Sequence, residues 1–197
     1  MPETSPRVRR TAEDRRKQLI GIGLEKLRDR PWHQITVDSV AAEAGISRGL
    51  LFHYFPTKQD YYAELMRAGA RRLLRATRVD DAVPAGGRVR AMVDGYVRFL
   101  ERRRAAYLSV MAAAAVDPDT REVHDQIQSE LAGRLLDALR ADGVVVEGAW
   151  VTSVVRSWWS FAEDLTVRST ATDDHDRDRL VQLLVNALGE LVAVARR

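Results

Sequence analysis

The sequence predicts an all-α protein. Apolar residues recur at helical spacing along the whole chain, helix-start signals precede most of those segments, and convincing strand alternation is scarce. The 197 residues suffice for one or two domains with a sizeable core. Hydrophobic residues at 46% and charged residues at 30% exclude a disordered or membrane-embedded class. No apolar run approaches the roughly 20 residues of a bilayer span. The N-terminal MPETSPRVRR lacks the apolar stretch of a signal peptide, so a cytoplasmic location is expected. With Cys 0, disulfides and thiolate metal sites are ruled out.

Taken in order, residues 1–10 read as a disordered basic arm. Thr11, with Glu13 and Asp14 behind it, starts a helix whose apolar stripe is Leu19, Ile20, Gly23, Leu24 and Leu27, and Pro31 ends it. Thr36 caps a second helix to about Ala44, and a third runs from behind Ser47 to near Phe55. Thr57 caps a long fourth, over about 57–78, and DDAVPAGG (80–87) is a loop. Helical patterns follow at 88–104, 105–116, 118–141, 148–168 and 175–195, about nine helices in all. Asp117-Pro118 forms an N-cap and first-position pair, because proline's missing N–H costs nothing there. Gly143 and RSTATDD mark breaks, and GVVVEG reads as a connection.

Charge is uneven. Residues 1–58 hold 11 basic and 7 acidic residues, against 20 and 21 in the remainder, so the front of the chain suits a polyanion. Within it, TVDSVAAEAGISRGLLFHYF (36–55) fits a helix-turn-helix. Ala41 is small enough for a close crossing, Gly45 tolerates the positive φ of the turn, and Val40, Ile46 and Leu51 form a shared core. Arg48, Gly49, Leu50, Phe52 and His53 then fall on the outward side of the second helix, the one that enters a major groove in such motifs.

The longer stretch ITVDSVAAEAGISRGLLFHYFPTKQDYY resembles the N-terminal signature of the tetracycline-repressor (TetR) family of bacterial transcriptional regulators, over about residues 11–65. The resemblance implies a three-helix DNA-binding domain at 11–57 and a larger helical effector-binding and dimerisation domain at 58–197. It implies double-stranded DNA with a palindromic operator as partner, a nucleoid-associated homodimer, and no cofactor, metal or membrane. Base reading would fall to Arg48, Gly49, Leu50 and Phe52, with packing the equal alternative for Phe52. Phosphate contacts would fall to Thr36, Ser47, His53, Tyr54 and Lys58, with Phe55 in the core. Leu50 and Phe52 stand where threonine and tyrosine are frequent in the family, so each position lacks a hydroxyl.

By the same resemblance a small apolar effector would enter the helical body and release the operator from a repressor. Met92, Tyr96, Phe99, Tyr107 and Met111 each suit plain core packing when taken singly, and collectively, with Trp158, they are the expected lining. The last two helices would pair across a two-fold axis through Val155, Trp159, Leu184, Leu188 and Leu191. An enzyme is not expected. His33, His53, His124 and His175 are dispersed without metal-ligand spacing, His124 and Asp125 do not share a helix face, and DDHDRD (173–178) reads as a solvated cap. Neither a phosphate loop nor a nucleophile elbow is present. The competing reading is a helical small-molecule-binding or interaction protein that has lost its DNA function, against which Arg48, Lys58 and the intact turn argue.

Overall fold

Helix boundaries follow the side-chain oxygens that can take up the first free N–H groups. In the computed structural model, which describes residues 11–30, 34–115, 117–172 and 174–196, Thr11 and Asp14 form a reciprocal capping box that opens α1 (Ala12–Asp29). Thr36 accepts from the Ser39 N–H at 3.1 Å and opens α2 (Val37–Glu43), and Ser47 accepts from the Leu50 N–H at 3.1 Å and opens α3 (Arg48–Tyr54). A second capping box, Thr57 with Asp60, opens α4 (Lys58–Ala76). Residues 1–10, Pro31 and His33 lie outside the described residues.

Four longer helices complete the chain: α5 (Arg88–Ala114), α6 (Pro118–Ala141), α7 (Ala149–Ser169) and α8 (Arg177–Ala195). Asp117 caps α6 with Pro118 at its first position, and Asp176 caps α8. The start of α5 has no cap of its own; Asp142, just past α6, supplies one. Its Oδ1 accepts from the N–H groups of Gly86 (2.8 Å) and Arg88 (3.3 Å), and its Oδ2 from Val89 (3.1 Å). The described residues therefore form eight helices rather than about nine. The break expected after residue 104 is a kink at Arg103 (φ −137°, ψ 22°), which bends α5 without ending it. Residues 143–148 form a connection, as expected.

Two apolar clusters organise these helices. The first gathers Leu19, Leu24 and Leu27 of α1, Val40 and Ala41 of α2, Leu51 of α3, Phe55, and Tyr61 and Leu65 of α4. The second begins at Leu73 and is built from α5 to α8. One rigid helix, α4, thus packs in both. Glycine makes one close approach possible: a Cβ on Gly95 of α5 would overlap the Ala76 carbonyl oxygen at the end of α4.

The second cluster corrects several expectations. Met92, Tyr96 and Trp158 are fully buried core, not pocket lining, and Val155, Trp159, Leu184 and Leu188 are buried within the same chain, not offered to a partner. The two tryptophans pack edge-on with ring centroids 5.1 Å apart, and Trp158 Nε1–H donates to the Leu184 carbonyl at 3.1 Å. The apolar face that periodicity finds on α7 and α8 is consumed by packing against α5, α6 and each other. Among the described residues no helix is long and apolar enough to cross a membrane.

Candidate nucleic-acid interface and effector cavity

The turn between α2 and α3 is closed by two backbone hydrogen bonds, Gly45 N–H to the Ala42 carbonyl (3.1 Å) and Ile46 N–H to the Ala41 carbonyl (3.0 Å). This paired closure needs a left-handed residue at its centre, and Gly45 has φ +66°. Ala41 is buried at the crossing, and Val40 and Leu51 are sealed beneath it with Ile46 packed alongside.

Ser47, Arg48, Gly49, Leu50 and His53 are exposed on α3, with Leu50 at 39%. The Ser47 hydroxyl oxygen serves as the cap, which leaves its proton for a phosphate. A Cβ on Gly49 would meet nothing closer than Ser47 Oγ at 3.9 Å, so the fold itself does not demand glycine there. Phe52 is half-buried against the first cluster, with the Arg48 guanidinium carbon 5.4 Å from its ring centroid. Arg48 Nη1 also lies 3.2 and 3.0 Å from the two Asp38 carboxylate oxygens. An exposed pair of this kind contributes about 1 kcal/mol or less, whereas a bidentate guanine contact discriminates by about 1–3 kcal/mol. Asp38 therefore orients Arg48 without holding it against DNA.

The expected phosphate ligands flank this surface. Thr36 is exposed at the start of α2, and Lys58 is exposed at the start of α4 with its Nζ 5.2 Å from the Tyr62 ring centroid. Tyr62 Oη–H in turn donates to the Ile35 carbonyl at 2.5 Å, tying α4 to the residue before Thr36. Tyr54 is half-buried, and its carbonyl accepts from the Arg16 guanidinium, which also lies 4.5 Å from the Phe55 ring centroid. Sequence reasoning missed Asp38 and Arg16, whose partners lie 10 and 38 residues away.

A cavity of about 80 Å³ lies where α1, α4, α5 and α6 meet. Its walls include Leu24 and Leu27 of α1, Met66 and Leu73 of α4, Phe99 of α5 and Ile127 of α6. Of the expected lining, Phe99 and Tyr107 are placed there and Met111 is not. The cavity sits closer to the first cluster than that list implied, because α1 supplies part of the wall.

One end of the cavity carries a polar cluster that the sequence did not reveal. Glu163 of α7 accepts from the Tyr107 hydroxyl, from Gln128 Nε2 at 2.7 Å, and meets His124 Nε2 at 3.4 Å. The Tyr96 and Tyr107 hydroxyl oxygens are 3.5 Å apart. Burial pushes both phenols well up from their ordinary value, with neighbouring Glu163 adding to the effect. The hydrogen bond to Glu163 raises the His124 pKa against the opposing effect of burial. His124 also lies 3.5 Å from Asp125, so the sequence neighbours do meet through the imidazole. The signal for Glu163 was absent because its partners are 35 to 56 residues distant.

A helix-turn-helix with an exposed second helix, joined by one long helix to a helical body with an internal cavity, is the build of a bacterial helix-turn-helix regulator. The profile described as "Bacterial regulatory proteins, tetR family" matches residues 23–65, so the front of the chain carries the DNA-binding signature of that family. The chain is 29% identical over 102 residues to the HTH-type transcriptional activator FasR of Mycolicibacterium smegmatis, across 48% of this chain and 44% of FasR. Against the HTH-type transcriptional regulator EthR of Mycobacterium tuberculosis it is 43% identical over 58 residues, 27% of either chain. The matched stretches thus span less than half of these two relatives. A tetR-family transcriptional regulator from Streptomyces coelicolor superposes with a TM-score of 0.80 at 28% identity, covering 94% of this chain and 83% of that one. A transcriptional regulator from Saccharomonospora viridis, solved in complex with choline, shares the fold with a TM-score of 0.73 at 15% identity, over 88% of this chain and 95% of that one.

Proposed function

We propose that this protein is a ligand-responsive transcriptional repressor that binds a palindromic operator as a dimer and is released by a small effector. The observation that carries the reading is the shared wall: the cavity is bounded by Leu24 and Leu27 of α1 and by α4, the helix that starts at Lys58 beside α3. A molecule seated there bears on the first cluster directly. Arg48, with Gly49, Leu50 and the partly packed Phe52, addresses base edges, while Thr36, Ser47, His53, Tyr54 and Lys58 address phosphates.

Of the expected interface residues only Leu191 is exposed, so dimerisation is assigned to the face of the last two helices that carries it. Trp150 (76% exposed) and Phe161 on α7, and Leu183, Leu191 and Val194 on α8, form an exposed apolar stripe on each helix. Two such pairs facing across a two-fold axis form a four-helix interface and set the spacing of the recognition helices at about 34–36 Å of duplex. A ligand that favours a different spacing weakens operator binding by its coupling energy, about 1–3 kcal/mol or 5–150-fold.

Selection of genomic fragments at fixed salt, followed by titration of the selected duplex and a scrambled one, tests the regulator reading. A palindromic site bound at least about 1,000-fold tighter than scrambled DNA is expected. Equal binding to both duplexes would refute it. Transcript levels of the adjoining gene with and without the protein then decide the sign of control, which the reading sets as repression.

A further inference from the structure

We infer that the cavity is built for an anionic amphiphile, an apolar body bearing one carboxylate, and that Arg72 receives the carboxylate. The inference rests on the reading of this cavity as the effector seat. The polar residues at its surface are Arg72, Arg103, Tyr107, His124 and Gln128, and among the described residues no acidic side chain lines it. At the polar end, the Glu163 carboxylate stands behind Tyr107, His124 and Gln128 and is already engaged by all three. Its negative charge is therefore answered within the protein, and of the two guanidinium groups at the cavity, Arg72 and Arg103, Arg72 is the one with a buried N–H left without an acceptor.

Arg72 is also left incomplete by the fold. Its Nη1 is buried without a hydrogen-bond partner, and the nearest carboxylate oxygen, Glu25 Oε1 on α1, stands 3.7 Å away, beyond hydrogen-bond length. A buried guanidinium N–H that lacks an acceptor costs free energy, and a ligand carboxylate removes that cost while its alkyl body fills the apolar remainder. Gln128 is the other incomplete group. Its Nε2 donates to the acceptor-only Glu163, which fixes the amide orientation and leaves Oε1 buried and unpartnered. A ligand hydroxyl can donate there, so an alcohol retains some affinity but finds nothing to give Arg72.

The same guanidinium faces Glu25, so occupancy competes with an α1–α4 ion pair. Ligand binding is thereby tied to the unit that carries α3, through an identified pair of charges.

Calorimetry of the full-length protein with hexanoate, hexan-1-ol and hexylammonium tests this. Hexanoate should bind about tenfold or more tighter than hexan-1-ol, and hexylammonium weakest. Arg72→Gln should abolish the hexanoate advantage and keep hexan-1-ol affinity within about twofold. Glu25→Gln, which removes the competitor, should strengthen hexanoate and leave hexan-1-ol unchanged. Gly69→Phe, which fills the cavity from α4, should block all three. Equal binding of hexanoate and hexan-1-ol, or an advantage that survives Arg72→Gln, overturns the anionic class and leaves the cavity reading standing. Binding that survives Gly69→Phe, or no binding of any of the three, overturns the cavity reading and the inference with it.

Discussion

The Arg48 guanidinium of α3 lies 3.0 Å from the Asp38 carboxylate of α2, so the foremost base-reading candidate is steered by the other helix of its own motif. Arg48→Ala should cost about 1–3 kcal/mol on the selected operator and relax preference at one base pair per half-site. Asp38→Asn should retain or slightly raise affinity for every DNA, because it removes a competing negative charge near phosphates. Lys58→Ala, by contrast, should weaken operator and scrambled DNA alike and flatten the salt dependence by about one unit of slope. Titrations of the three variants at several salt concentrations separate these roles; identical losses on both duplexes from Arg48→Ala and Lys58→Ala would show that no such division exists.

Two charge insertions distinguish the free face of the last helices from the buried one. Val194→Glu, on the exposed stripe, should yield a folded monomer by sedimentation. Leu188→Glu should instead unfold the chain, since an unpaired charge in its core costs on the order of 3–5 kcal/mol. A folded Val194→Glu dimer of wild-type size would move the interface elsewhere.

Asp142 holds three backbone N–H groups at the start of α5. Asp142→Ala should lower stability by about 0.5–2 kcal/mol in urea titration, as loss of a helix cap does, and Asp142→Asn by less, since it keeps one oxygen acceptor. An unchanged urea midpoint for Asp142→Ala would mean that the loop re-caps the helix by itself.

His124 faces Glu163, Asp125 and Gln128, and its pKa in the folded chain is raised, chiefly by the Glu163 hydrogen bond. A raised value means that the charged imidazole is stabilised by folding. That contribution is complete below the ordinary histidine pKa and is lost as pH climbs through the folded value. Thermal melts should therefore show the wild type's margin over His124→Gln largest near about pH 6 and shrinking toward about pH 8. A margin that grows with pH would contradict the assigned charge state.

Local chemistry in the sequence settled where α1 to α4 and α6 begin, what the turn is and which face of α3 looks outward. Thr11, Thr36, Ser47, Thr57 and Asp117 each cap the helix they were expected to cap, and Gly45 takes the left-handed conformation. These features depend on residues within about one helical turn of one another, so short-range spacing reports them. Tertiary structure alone decided the rest. Periodicity showed that α7 and α8 are broadly apolar, but whether Leu184 and Trp159 face the chain's own core or another subunit depends on α5 and α6 closing over them. It likewise left open which of Tyr96, Phe99 and Tyr107 border empty space, because a cavity is what remains after four helices have packed. Glu163, Arg72 and Asp38 carried no local signal, since their meaning comes from partners on other helices. Charge and hydrogen bonding act over a few ångströms in space, and the fold brings residues 10 to 56 positions apart within that reach.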